Sequence, residues 1–448
     1  MENENVIKDT NNNTELKASM KPRHLVMLSL GGSVGAGLFA GAGSAINMAG
    51  PAVLLTYILS GLLLFVVMYG VGQIVILQKV KSTGMSGLVG PILGGRMGNF
   101  IDWVYWLLSL SVLIAVAAPI AQFLQVWWPN LPTWLVYILI AGAAFTINLF
   151  SVKFFAETGF WMSAIKVGVL VILMVLGLVL IAGKPTYLAN LTSQGGFAPN
   201  GFKGIFNAML IVVFSFGGME LMALSAAETD NPSETIPKAV RSMIIQLSLV
   251  YIIPVFIFVT VYPWNKVGSL PGGPVAAIFE KFHLPFVSNI ILAVMILALF
   301  SVLNSMYFGA IRSLYARSKE AKNPIGKFFA KLSKNQVPMR ANAFNAGVLI
   351  LGAILSKVIK GGLFEYMSSA ISYLLIIVWI VFLISAILLY HKHPEAVKSW
   401  VKIVSYATLV LLIGILIGVV ATNKIEITIY AAIVCLISFL TYVKPKLK

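Results

Sequence analysis

Twelve apolar runs, each about as long as a lipid bilayer is thick, follow one another along the chain at roughly 24–48, 52–78, 99–126, 132–151, 155–183, 203–229, 239–262, 286–317, 341–359, 363–390, 401–421 and 425–443. A helix rises about 1.5 Å per residue, so about 20 apolar residues cross a ~30 Å hydrocarbon layer. Inside that layer the chain must satisfy every peptide N–H and C=O itself, which leaves helices and closed barrels as spanning structures. Barrel strands alternate polar and apolar residues over about ten positions. The runs here are continuous and much longer. The expected fold class is therefore an all-α integral membrane protein with 12 transmembrane helices. Composition agrees, since 59% hydrophobic and 10% charged residues leave too little charge to cover a water-facing surface.

The segments between the runs are too short for a soluble domain, so residues 21–443 read as a single polytopic domain. Residues 1–20, MENENVIKDTNNNTELKASM, are polar and Asn-rich with no apolar core. They read as a disordered cytoplasmic tail rather than a signal peptide. The single cysteine, Cys435, falls in the last run, which rules out an intramolecular disulfide. A net charge of +17 raises the question of a nucleic-acid partner, and its distribution answers it. With the N-terminus inside, 24 Lys and Arg fall in tails and loops on that side and 7 on the other. That is the positive-inside bias, which sets orientation and makes membrane lipid, not nucleic acid, the expected charged neighbour. Both termini are then expected on the cytoplasmic side of the plasma membrane.

Two runs break the pattern in the same manner, five runs apart. Run 1 carries GGSVGAG (Gly31–Gly37) and run 6 carries FSFGGMEL (Phe214–Leu221). Glycine-interrupted segments at corresponding places in two halves point to an inverted-repeat transporter whose substrate sits near the bilayer midplane. Unwound backbone at that depth is tolerated only where it lines a polar cavity. A free amino acid suits such a cavity: its carboxylate matches exposed N–H groups and the positive end of a half-helix, and its ammonium matches freed carbonyls. The competing reading is close helix packing, for which Gly31 with Gly35, or Gly37 with Gly41, has the right spacing.

Two ionisable residues cannot be assigned to loops or helix ends. Lys166 lies well inside run 5, and Glu220 follows the glycine pair of run 6. A charge at the centre of a membrane helix costs roughly 2.5–3.5 kcal/mol or more, so such groups face the bundle interior and carry ions or protons, or else serve a static structural role. Glu228, Asp230 and Glu234 cluster near the expected cytoplasmic mouth, and Asp102 and Glu365 read as helix-end anchors. The four histidines flank the runs, and no phosphate-binding glycine motif occurs. An enzyme is not expected, nor is an ATP-driven pump.

The stretch GGSVGAGLFAGAGSAINMAGPAVLLTYILSG (Gly31–Gly61), with FWMSAIKV (Phe160–Val167), FSFGGMELMALSAAETDNPSETIPKA (Phe214–Ala239), SVLNSMYFGAIRSLYARS (Ser301–Ser318), VPMRANAF (Val337–Phe344) and FEYMSSAISYLLIIVWIVFLISAILL (Phe364–Leu389), resembles bacterial amino acid permeases of the amino acid, polyamine and organocation superfamily. The resemblance implies a five-plus-five inverted repeat (LeuT-like) with broken helices 1 and 6. The first repeat is about 24–183, the second about 203–390, and helices 11 and 12 cover about 401–443. It implies that main-chain N–H groups of Gly35, Ala36 and Gly37 hold the substrate carboxylate, and that carbonyls of Ser33, Phe214 and Gly217 meet its ammonium. Phe214, with Phe216 close by, then acts as a gate. Lys166 takes the place of a sodium ion between helices 1 and 8, with Ser301 and Ser305 as neighbours, and Glu220 is the helix 6 acid linked to proton sensing. The chain departs from the family at Ala36, where threonine is common, and at Gly159, where an acid is common.

The function expected from the sequence is proton symport of neutral L-amino acids by alternating access. No cofactor is expected, the coupling ion being H⁺ with no sodium site. An amino acid exchanger, a cationic amino acid permease and a non-transporting sensor are the alternatives. None of these features encodes an oligomeric state.

Overall fold

Membrane helices that are apolar all round carry no polar stripe to set their rotation, so interruptions and small residues decide how they meet. The structure is a computed structural model describing residues 35–78, 84–149, 152–219, 232–270, 272–282, 285–320, 323–333, 337–359, 362–422 and 424–441. Ser33, Glu220, Glu228, Asp230 and the expected tail 1–20 lie outside the described residues.

A π-turn, Gly37–Gly41, runs into Ala42–Ala49 to form α1. After a turn at Gly50–Ala52 come α2 (Val53–Gln78), α3 (Gly95–Trp127), α4 (Thr133–Ile147), α5 (Val152–Gly183) and α6 (Gly201–Phe216). α7 runs through Pro232–Leu247, a π-turn at Ser248–Ile252, and Ile253–Val261. α8 (Pro285–Glu320), α9 (Met339–Val358), α10 (Leu363–Lys392), α11 (Ser399–Thr422) and α12 (Ile425–Leu440) complete the order. Eight stretches are long and apolar enough to cross a membrane; the first, Gly37–Gln78, holds both α1 and α2, and α4, α6 and α12 are shorter apolar helices. Each of the twelve apolar runs thus has its helix, and the chain is a multi-pass all-α membrane protein.

The packing repeats with an offset of five. α1 packs on α6, α2 on α7, α3 on α8 and α4 on α9. Two five-helix units related in this way bring their two interrupted helices together at the centre. α10 lies deep in the bundle against α2, α3 and α6, whereas α11 and α12 sit at its edge and expose Ile403, Val410, Ile417 and Leu436.

Buried polar side chains fasten α3, α4, α8 and α9 into one scaffold. The Asn148 amide donates to Asn304 at 2.8 Å, the Tyr307 hydroxyl donates to the Asn342 backbone carbonyl at 2.7 Å, the Asn345 amide donates to the Tyr307 carbonyl at 3.0 Å, and the Trp106 indole donates to the Ala310 carbonyl at 3.1 Å. In a low-dielectric interior such bonds are costly to leave unmade, so they resist relative sliding of the four helices. The scaffold forms one wall of the site.

Candidate functional site

α6 stops at Phe216, where the next two residues leave the helical path. Gly217 is extended (φ −57°, ψ 135°) and Gly218 has φ 95°, a conformation that L side chains rarely adopt. The amide of Gly217 donates to the Phe214 carbonyl at 3.1 Å and that of Met219 to the Phe216 carbonyl at 3.2 Å, three residues back rather than four. Opposite this end, the Gly35 carbonyl accepts from Leu38 at 3.2 Å and Phe39 at 3.1 Å, which opens the first turn of α1. The first N–H groups of a helix have no acceptor within it.

The start of α1 and the end of α6 are in contact. The place where Gly37 would carry a Cβ is filled by the Cβ, Oγ and Cα of Ser215. Between the two ends lies a small, partly open cavity. Gly35, Ala36 and Gly37 line it from α1, and Phe214, Ser215, Gly217 and Gly218 from α6. The rest of the wall comes from Leu108 and Val112 on α3, Tyr251 on α7, Val302 and Met306 on α8, and Ile371 and Leu375 on α10.

The electrostatics follow from the backbone. A helix start carries roughly half a positive charge and a helix end roughly half a negative one. Both open on the same small space. None of the described lining side chains is charged, and the two hydroxyls among them are turned to the backbone. The Ser215 hydroxyl donates to the Ile211 carbonyl at 2.9 Å and the Tyr251 hydroxyl to the Ser215 carbonyl at 2.5 Å. The cavity can therefore grip a small zwitterion through peptide groups and surround an apolar side chain. Among the described lining residues no nucleophile is paired with a base.

The two phenylalanines of α6 part company. Phe214 lines the cavity and packs edge-on against Phe364 of α10, with ring centroids 5.7 Å apart. Phe216 points away into an aromatic cluster, 6.1 Å from Tyr57 and 5.4 Å from Tyr251, and is absent from the cavity wall. Lys166 is 1% exposed, and its ammonium donates to the Ser301 hydroxyl across 3.4 Å, beside the wall residue Val302. Ser305, one turn further on, is exposed and returns its hydroxyl to the Ser301 carbonyl at 2.9 Å.

The helix-end acids have partners. Asp102 accepts the Ser86 amide at 3.0 Å and lies 3.5 Å from Arg317. Glu365, in the first turn of α10, accepts the Ser44 hydroxyl of α1 at 3.1 Å, and its second oxygen is buried with no hydrogen-bond partner among the described residues. Among those residues no three His, Cys, Asp or Glu side chains gather as a metal site would require. Sequence reasoning missed Tyr251 and the wall contributed by α3, α8 and α10. Each of those three helices presents an apolar pair four residues apart, yet nothing in an all-apolar span marks one such pair from its neighbours.

A sequence profile described as amino acid permease matches residues 24–446. An aromatic amino acid permease of Lactococcus lactis subsp. cremoris (strain MG1363) is 41% identical over 446 residues, covering 97% of this chain and 98% of that protein. An uncharacterized amino acid permease of Bacillus subtilis (strain 168) is 37% identical over 445 residues, covering 97% and 99%. A probable threonine/serine transporter of the same organism is 33% identical over 445 residues, covering 95% and 94%.

Proposed function

The chain belongs to the amino acid permease family, a family of transporters and not of enzymes, and from that premise we propose that it imports neutral L-amino acids with large apolar side chains by proton symport. The carrying observation is the cavity between the start of α1 and the end of α6, polar only through its peptide groups and walled by Leu108, Val112, Phe214, Val302, Met306, Ile371 and Leu375. Among the described lining residues a cationic or acidic side chain finds no partner of opposite charge, and an unpaired one costs several kcal/mol. An aromatic or branched aliphatic one replaces water against apolar surface. The 41% identity with an aromatic amino acid permease points the same way.

In this reading the substrate carboxylate takes the N–H groups of Gly35, Ala36 and Gly37. The ammonium takes carbonyls at the end of α6, those of Phe214 and Gly217, together with Ser33. Phe214, resting on Phe364, covers the bound molecule. α1 and α6 then tilt as a unit against the scaffold of α3, α4, α8 and α9, exposing the cavity to one side of the membrane and then the other. The excess of Lys and Arg puts both termini in the cytoplasm of a bacterial cell. Lys166 carries the coupled proton: its tie to Ser301 changes with its charge, and in a low dielectric that change is strong enough to bias the tilt. Glu220, two residues past Gly218 in sequence, is the second group in the coupling, and no sodium site is required.

Counterflow in proteoliposomes tests the substrate class. Phenylalanine, tyrosine, tryptophan, leucine, isoleucine and methionine are expected to compete for uptake of labelled L-phenylalanine, and lysine and aspartate are not. Preference for a charged amino acid would overturn the assignment. Accumulation driven by an inward proton gradient and abolished by a protonophore is the expected energetics. Uptake that ignores the gradient and depends on internal substrate would make the protein an exchanger instead.

A further inference from the structure

α6 is broken by more than its glycines. In a continuous helix the carbonyl of Ser215 would accept the amide of Met219, four residues on. Here the Met219 amide turns to Phe216, and the Ser215 carbonyl accepts a side chain from another helix, the hydroxyl of Tyr251 at 2.5 Å. That phenol is held in place on every side. Its ring stacks on Tyr57 of α2, with centroids 5.6 Å apart and planes 22° from parallel, and Phe216 meets it edge-on at 5.4 Å. Tyr251 itself sits within the π-turn of α7, Ser248–Ile252. A π-turn shifts the register of a helix locally and is a recurrent device at functional sites. From the opposite side, Ser215 is pressed by Gly37 of α1.

We propose that Tyr251 is a positioning residue that keeps α6 open by occupying the Ser215 carbonyl that helix continuation requires. The hydroxyl acts as a removable cap. While it is bonded to Ser215, the Met219 amide cannot close the helical turn, and Gly217 and Gly218 keep the irregular path that exposes their peptide groups to the cavity. When it withdraws, Ser215 can recover Met219 and the break narrows. Because Tyr251 also lines the cavity, a molecule bound there sits against the phenol that sets the length of the gap. The effect of the cap on transport rests on the reading of this cavity as the substrate site; its effect on α6 does not.

The test uses the full-length protein in nanodiscs and proteoliposomes, with L-phenylalanine as probe. Tyr251→Phe keeps the stacked ring and deletes the O–H. Hydrogen–deuterium exchange of the Met219 amide is expected to slow by about threefold, as its bond to Phe216 is exchanged for the helical bond to Ser215, and KM for L-phenylalanine to rise by about the same factor while kcat changes less. 4-Aminophenylalanine at position 251, which restores a donor on the same ring, is expected to return both values toward wild type. This second variant keeps the test decisive if Tyr251→Phe folds poorly, since a cap that works through its donor leaves Met219 exchange fast there. Met219 exchange unchanged in Tyr251→Phe, or slowed equally in the amino variant, would overturn the proposal. Slowed exchange in a protein that takes up no amino acid would uphold the cap and sink the substrate assignment instead.

Discussion

Substitution of Gly37 by alanine probes the contact on which the site is built. The added Cβ would fall inside the van der Waals envelope of Ser215, more than an ångström short of the ordinary contact distance of 3.4 Å, and one of the atoms it meets is the backbone Cα. No rotamer change relieves a clash with backbone, so α1 and α6 must part by about 1 Å. Overpacking of this kind costs about 1–3 kcal/mol of stability. A misplacement of 1 Å at a binding constellation weakens function by about a hundredfold, and KM for L-phenylalanine is expected to rise by one to two orders of magnitude. Ser215→Gly removes the Cβ and Oγ that Gly37→Ala would strike, at a cost of about 1 kcal/mol for glycine in a helix. The backbone Cα that the new Cβ would also strike remains, so the double variant is expected to recover only a small part of the lost transport, with a coupling energy of about 0.5 kcal/mol in a double-mutant cycle. Uptake kinetics in proteoliposomes and thermal unfolding of the purified protein read the two consequences separately. Wild-type KM and melting temperature in Gly37→Ala would refute the claim that these helices touch here.

Three further outcomes follow from other parts of the site. Lys166→Ala is expected to abolish accumulation driven by a proton gradient while leaving counterflow measurable; retained accumulation would remove Lys166 from the coupling. Phe214→Ala and Phe216→Ala should separate. The first raises KM with a small change in melting temperature, and the second, which empties a space between Tyr57 and Tyr251, destabilises by about 3 kcal/mol or more. Ser44→Ala deprives the Glu365 carboxylate of its hydrogen bond from α1 and should cost about 1.5 kcal/mol. Labelling of a cysteine introduced at Ala40, on the same segment of α1, is expected to speed up as α1 loosens from α10.

How much of this was legible in the sequence depended on whether the residue type or only its rotation about a helix axis carried the information. The spans announce themselves because twenty apolar residues have few other fates. The end of α6 at its glycine pair was legible because that pair is a compositional fact, while the expected break of helix 1 at 31–34 lies outside the described residues; the two readings of Gly37, tight packing and cavity lining, describe the same residue: it abuts Ser215 and faces the cavity at once. Lys166 was legible because a charge in a span stands out against everything around it.

Rotation left a fainter trace. Phe214 and Phe216 look alike in the sequence, yet two residues along a helix are about 200° of turn, and only one of them can face the substrate. That geometry was available from the spacing alone; which of the two faced inward was not, because α6 is apolar on both sides. The same blindness hid Leu108 with Val112, Val302 with Met306 and Ile371 with Leu375. In a soluble protein the polar face of each helix would have fixed its rotation, but lipid and protein interior are equally apolar here. Tyr251 was hidden differently. Its hydroxyl reaches the Ser215 carbonyl from a helix with a π-turn, and no periodicity of 3.6 locates a residue in a segment that departs from that period. The side-chain wall of the cavity thus lies where hydropathy is least informative, and its backbone wall lies where glycine makes it most informative.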